Sequence, residues 1–181
     1  MRIHISLLLA GLLACSGPAS KKASGGDIHT DPSTATVNTL DLGGDPATGD
    51  LAALRANVAE TMARPEHSAK RVEVAHILIA FQGASRSTQS RSKDEAEALT
   101  AELLGKALNG ADFTSLAKEY SDDPGGGPYT MSTDGSGGYP RNQMARAFGD
   151  TGWRLEVGQI GVAGYSPQGS PFGWHIIKRL Q

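Results

Sequence analysis

The chain has a single cysteine, Cys15, in 181 residues. No disulfide framework can form within it, and no pair of thiolates is available to a zinc ion. An excess of charge of one sign is also lacking. The 17 basic and 19 acidic side chains leave a net charge of −2, so there is no electrostatic case for binding nucleic acid. No hydrophobic run reaches the about 20 residues that span a bilayer; the longest candidate, Ile3 to Leu13, falls short. Neither HExxH nor GxSxG occurs, so zinc-hydrolase and nucleophile-elbow chemistry have no anchor. Of the five histidines, His4, His29 and His67 fall in the leader, the tether and a linker. Nothing in the inventory implies a metal or another cofactor.

What is present at the start is a leader. Arg2 precedes the apolar run, and the run closes on Leu12-Leu13-Ala14-Cys15. Residues 1–14 read as a secretory signal peptide. A small residue ahead of a lone cysteine resembles a bacterial lipobox, which implies cleavage before Cys15 and lipidation of that residue. An ordinary signal peptide with an incidental cysteine is the alternative. Residues 15–49 are rich in Gly, Ser, Thr, Asp and Pro and read as a flexible tether, because they cannot bury enough apolar surface to offset their ordering entropy. These features imply an extracytoplasmic protein: a membrane lipoprotein at the bacterial outer membrane, facing the periplasm or the cell surface.

A short amphipathic helix is expected over 50–65, with Asp50 as cap and Leu51, Leu54, Val58 and Met62 at helical spacing. The main domain is expected over 70–181. "RVEVAHILIAF" reads as an inner strand, and "QGASRSTQSRS" as a polar loop. "SKDEAEALTAELLGKALNG" reads as a helix with a Ser92/Glu95 capping box and Leu99, Leu103, Ala107 and Leu108 on one face. "DFTSLAKEY" is a second helix, capped by Asp112. A glycine-rich stretch follows, with a short strand near Tyr129 to Ser132. "PRNQMARAFGD" is expected as one helix with Pro140 in its first turn and Gly149 at its end. Two closing strands are joined by the turn "SPQGS". The order predicts an α+β fold with an antiparallel sheet.

Two strands at opposite ends of this domain each carry a histidine followed by isoleucine: "VEVAHILIAF" with His76 and "FGWHIIKRL" with His175. Taken singly, each reads as a core ring with both nitrogens satisfied, since a buried polar group without a partner costs about 1–3 kcal/mol. Taken together, they are expected on adjacent strands, within reach of each other.

"AHILIAF", "GADFTSLAKEYSDDPGGG", "RNQMARAF", "LEVGQI" and "SPFGWHIIKRL" occur in the order and spacing of parvulin-type peptidyl-prolyl cis/trans isomerases. The resemblance covers Val72 to Leu180. It implies a four-stranded antiparallel sheet wrapped by about four helices. It implies catalytic residues His76, Asp123 and His175; the two buried rings are themselves expected to hydrogen-bond each other. The proline pocket it implies is formed by Met144 and Phe148, with Gln143 beside them and Tyr139 and Phe172 at aromatic positions. Without the resemblance, Met144 and Phe148 read as a core pair and Asp123 as a turn residue. The sequence departs from the family's pattern at Ser136, which stands where a pocket-lining leucine is usual, and in "RNQM" for "RGQM". Arg86 and Arg91 lie in the loop that binds phosphate in one branch of the family, although two arginines in a polar loop usually face solvent.

The implied activity is isomerisation of X-Pro bonds in unfolded, exported polypeptides, with the membrane held only through the lipid on Cys15 and no nucleic-acid partner. The competing expectations are a parvulin-fold chaperone that binds unfolded chains with little turnover, and a surface scaffold.

Overall fold

The computed structural model describes residues 46–181 apart from 124 and 126. The expected signal peptide, Cys15 and nearly all of the tether lie outside the described residues. The elements are α1 (Pro46–Ala63), β1 (Arg71–Ile79), α2 (Lys93–Leu108), α3 (Phe113–Tyr120), β2 (Tyr129–Ser132), β3 (Tyr139–Pro140), a 3-10 turn (Arg141–Gln143), α4 (Arg146–Arg154), β4 (Ile160–Ala163) and β5 (Trp174–Arg179). No described helix is long and apolar enough to cross a membrane.

The sheet order is β3-β2-β1-β5-β4. Four of the strands form the expected antiparallel set, β2-β1-β5-β4. The addition is β3, two residues long and parallel to β2 at the edge. So short a strand has no alternation to show in a sequence.

β1 and β5 are interior strands, and both faces of the sheet are covered. One face packs Ile77, Ile79, Val162 and Ile176 against Leu54 of α1, Leu103 and Leu104 of α2 and Phe113 and Leu116 of α3. The other packs Val72, Val74, Met131 and Ile177 against Phe148 and Trp153 of α4. This two-sided burial explains why β1 alternates only at its start.

The helix caps follow the sequence. In α2, the Glu95 N–H donates to Ser92 Oγ at 3.2 Å and the Ser92 N–H to Glu95 Oε2 at 2.6 Å, a reciprocal box. In α3, the Ser115 N–H donates to Asp112 Oδ1 at 2.8 Å. The inward face of α2 differs at its end, where Leu104 is buried and Leu108 is 57% exposed.

Two expectations are corrected. The first helix begins at Pro46, not Asp50, since proline suits the first helical position, where its missing N–H has no intrahelical role. It is also part of the domain and not a preface to it. Leu54 is in the core, and Asn57 Oδ1 accepts the Val162 N–H of β4 at 2.9 Å.

The expected single helix over 140–150 is three pieces. Pro140 ends β3, the 3-10 turn follows, Met144 and Ala145 are extended, and α4 then runs on through Gly149 to Arg154. The Ala147 N–H in the first turn of α4 is taken by Gly169 O at 2.9 Å. That bond anchors the restart of the helix to the β4–β5 connection. The break has a use: it leaves Met144 outside the helix, facing the cleft described next.

Candidate functional site

The antiparallel register of β1 and β5 pairs His76 with Ile177 and Leu78 with His175. His76 and His175 are therefore diagonal neighbours on the α4 face of the sheet. Their ring centroids are 5.7 Å apart. Phe148 of α4 stands edge-on to both, at 5.3 Å from each ring. Both histidines are buried.

The expected hydrogen bond between the histidines is not formed. Each ring has its own partner. His76 Nε2 lies 3.2 Å from Asp123 Oδ2. His175 Nδ1 lies 3.0 Å from Ser170 Oγ, whose hydroxyl donates to Gly173 O at 2.8 Å. A hydroxyl with its one proton so placed can only accept from the imidazole, which assigns the proton of His175 to Nδ1. By the same reasoning His76 carries its proton on Nε2, toward the carboxylate. Its Nδ1 is buried and has no partner among the described residues.

Asp123 follows the C-terminus of α3 and gathers three donors. The Gly125 N–H reaches Oδ1 at 3.0 Å, the Tyr129 hydroxyl reaches Oδ2 at 3.0 Å, and His76 shares Oδ2. The loop is tied to the sheet from behind. Ser121 Oγ accepts the Leu78 N–H at 3.1 Å and Asp122 Oδ2 accepts the Ala80 N–H at 2.8 Å. This docking along β1 sets Asp123 beside His76.

The electrostatics separate cleanly. Burial pushes His76 below the usual imidazole range, against the pull of Asp123. Burial, aided by the neighbouring His76, pushes His175 down to about 3. Partial burial would raise Asp123, but the Gly125 N–H, Tyr129 and His76 together outweigh it and hold the carboxyl below its ordinary value. Tyr129 is pushed up to about 12 by burial and by its bond to Asp123. At neutral pH the site therefore holds two neutral imidazoles, a phenol and one carboxylate.

This arrangement fixes a pH dependence of stability. Both histidines have folded values below 6.5, so the unfolded chain binds protons that the folded chain refuses. Their contribution is complete above pH 6.5 and is lost as pH falls toward the folded values. For His175 alone the loss between pH 7 and 5 is about 2 kcal/mol. Asp123 and Glu66, held below the ordinary carboxylate range, add their losses only under about pH 4.5. Urea melts across this range should show the decline in wild type and a shallower one in His175→Asn. A flat wild-type profile between pH 7 and 5 would rule out the neutral, buried pair.

Above the histidines lies a cleft of about 410 Å³. His76, Asp123, Gln143, Met144, Phe148, Phe172 and His175 all border it. Seven of the eight residues expected for the site are thus brought together. Tyr139 is not: it is 54% exposed on β3, with its ring 5.5 Å from that of Tyr129, outside the cleft lining. The aromatic wall is Tyr129, which no sequence signal singles out. Ser136 is exposed in the glycine-rich turn, its N–H donating to Asp134 Oδ1 at 3.0 Å, and does not border the cleft.

The two loop arginines part company. Arg91 is consumed by Asp122, with which it forms a close ion pair, and by Ala80 O at 3.0 Å. Arg86 borders the cleft, 5.8 Å above the Phe172 ring. Among the described residues no group of three or more His, Cys, Asp or Glu side chains is placed to hold a metal.

Residues 58–181 match the family model described as the PPIC-type PPIase domain. The chain is 36% identical to foldase protein PrsA 4 of Bacillus cereus over 130 residues, covering 70% of this chain and 37% of that protein. It is 36% identical to the chaperone SurA of Chromohalobacter salexigens over 106 residues, covering 58% of this chain and 21% of that protein. The chain therefore spans well under half the length of these relatives. The fold matches that of the peptidyl-prolyl isomerase ESS1 from Candida albicans with a TM-score of 0.51 at 23% identity, over 77% of this chain and 78% of that one.

Proposed function

The chain belongs to the PPIC-type peptidyl-prolyl isomerase domain family, and from that premise we propose that it accelerates cis/trans isomerisation of X-Pro bonds in unfolded exported polypeptides. The observation that carries the reading is one cleft bordered by Met144 and Phe148 together with Asp123, His76 and His175.

The physics of the bond explains why such a cleft suffices. Amide resonance keeps the bond planar and places negative charge on oxygen and positive charge on nitrogen. Twisting removes both. A site that disfavours the charge-separated form lowers the barrier without breaking a bond. Met144 and Phe148 hold the prolyl ring and its nitrogen in apolar, water-poor surroundings. The Asp123 carboxylate, set on the carbonyl side, opposes the negative oxygen of the planar form. His76 orients that carboxylate, His175 braces His76 from below, and Gln143 at the rim offers its amide to the peptide backbone. Uncatalysed isomerisation takes tens to hundreds of seconds. Bringing it to milliseconds is about 10⁴-fold, or roughly 5–6 kcal/mol.

The lipid on Cys15 and the tether would hold this domain at a membrane outside the cytoplasm, at the outer membrane facing the periplasm or the cell surface, where newly exported chains are met. Relatives named foldase and chaperone support that setting.

One observation favours a second reading, a binding module with little turnover. Ser136, which stands where the resembling family usually has a pocket-lining leucine, does not border the cleft. Stopped-flow isomerisation of a proline peptide, run beside an aggregation assay on an unfolded protein, separates the two. Catalysis proportional to protein concentration is expected. Suppressed aggregation with an unchanged isomerisation rate would replace the enzyme by the binder.

A further inference from the structure

Behind the Gln143–Met144 wall lies a charge cluster that the chemistry above does not use. Glu66 comes from the segment between α1 and β1, Arg141 opens the 3-10 turn, and Asp150 and Arg154 belong to α4. Arg141 Nη1 donates to Glu66 Oε2 at 2.8 Å and Nη2 to Glu66 Oε1 at 2.7 Å. Nη2 also donates to Asp150 Oδ1 at 2.7 Å. Arg154 Nη1 donates to the same Glu66 Oε1 at 2.6 Å. The Arg141 guanidinium sits 4.6 Å above the Trp153 ring. The hydrogen bond from Arg141 is the largest cause holding Glu66 down to about 2.

The turn that Arg141 begins has little else to hold it. It is three residues long, none of them is buried, and no side chain caps it. Such a 3-10 turn has poor intrinsic stability. A forked guanidinium fixed by two carboxylates and an aromatic face is, by contrast, well defined in direction. The Arg141 carbonyl accepts the Met144 N–H at 3.1 Å. One residue thus joins the cluster to the wall through its side chain and its backbone.

We propose that Arg141 is a positioning residue for the reaction: clamped between Glu66, Asp150 and Trp153, it fixes the turn that presents Gln143 and Met144 to the cleft. The inference rests on the cleft taking an X-Pro bond, and it adds that the pocket wall is set from outside the pocket, by the segment that precedes β1.

The test combines a rate with a readout that needs no activity. The full chain, labelled with 13C-methyl methionine, has four signals at most, and Met144→Leu identifies the one of interest. In Arg141→Leu, which adds no methionine, the Met144 methyl should move toward a motionally averaged position while that of Met62, on α1, stays. The value of kcat/KM should fall about tenfold or more, as small misplacements near a reacting bond do, under conditions where urea melts show the variant folded. Arg141→Lys keeps the charge but not the fork, and should restore only part of both. Glu66→Gln, which leaves Arg141 over Trp153 and beside Asp150, serves as the second variant should Arg141→Leu not fold. An unmoved Met144 signal overturns the proposal whatever the rates do. A moved signal with kcat/KM within twofold of wild type overturns it as well, because the reaction would not need the wall fixed. If wild type itself gives no rate enhancement, the functional reading falls, and the methyl signal still decides whether Arg141 holds the wall.

Discussion

Asp123→Asn is expected to slow isomerisation of a proline peptide about a hundredfold and to leave the urea midpoint nearly where it was. The substitution removes the charge and keeps the shape. In wild type the carboxylate is ionised at neutral pH, since its three donors hold its pKa below the ordinary value. An asparagine oxygen can still accept the Gly125 N–H or the Tyr129 hydroxyl. Its NH2 group can face His76, provided that ring shifts its proton from Nε2 to Nδ1. Shape and most hydrogen bonds survive, so the stability cost is about 1 kcal/mol or less. The field at the substrate carbonyl does not survive. Deleting one preorganised electrostatic contact typically costs about 10²–10³ in rate. Alanine is a poorer probe than the motif alone suggests. It strands the Gly125 N–H, the Tyr129 hydroxyl and His76 Nε2 together, so a rate loss would come mixed with a stability loss. The measurement is kcat/KM by stopped flow beside melts of both variants. An Asp123→Asn variant that turns over within twofold of wild type would remove the carboxylate from the mechanism.

Much of this site is legible in the amino-acid sequence. Two histidines in apolar strands signal a buried polar pair because strand burial shows in β-branched runs. Their facing positions need only an antiparallel pairing in register. Met144 and Phe148 are legible through their motif, although for the wrong local reason: the single helix expected to carry both does not exist, and the chain breaks at Met144 instead. What the sequence hides has a common physical character. Tyr129 sits at the first position of a four-residue strand, too short for alternation to reveal which way its hydroxyl points. Ser170 lies in a segment that reads as a turn, yet it is fully buried and bridges Gly173 and His175. The helix over 46–63 is legible as an amphipathic helix but not as part of the domain; its place in the core depends on Leu54 and Asn57 meeting the far end of the chain at β4. Each of these is a side-chain hydrogen bond or a long-range contact, and no local pattern encodes it.

The same contrast gives the fold different weak points from the chemistry. The charge of Asp123 is expected to matter to the reaction and little to folding. The glycine of the "FGWHIIK" motif is expected to be the reverse. Tyr129, tied to Asp123 and stacked near Tyr139, stands between, since it both closes the cleft and begins β2.

Gly173→Ala is expected to abolish cooperative folding, or to lower the unfolding free energy by at least about 4 kcal/mol. Gly173 has φ +142°, a conformation that L side chains rarely adopt. A Cβ there would overlap Ile79 O far inside van der Waals contact and lie 2.9 Å from the Ala80 Cα. Both obstacles are backbone atoms at the end of β1, in the middle of the sheet, and neither can rotate away. Relief would require β5 to move off β1. The Trp174–Ile79 pairing would then open, and Gly173 O would leave the Ser170 hydroxyl that orients His175. A domain whose whole stability is about 5–15 kcal/mol has little room for that. Gly83→Ala is the control. It too has a positive φ, +93°, but nothing lies within 4 Å of its added Cβ. Only the backbone penalty remains, about 1–2 kcal/mol. Urea melts followed by circular dichroism should place the two variants several kcal/mol apart, with Gly173→Ala losing both its transition and its isomerase activity. Equal melts would mean that the close approach of β5 to β1 is not what requires glycine at position 173.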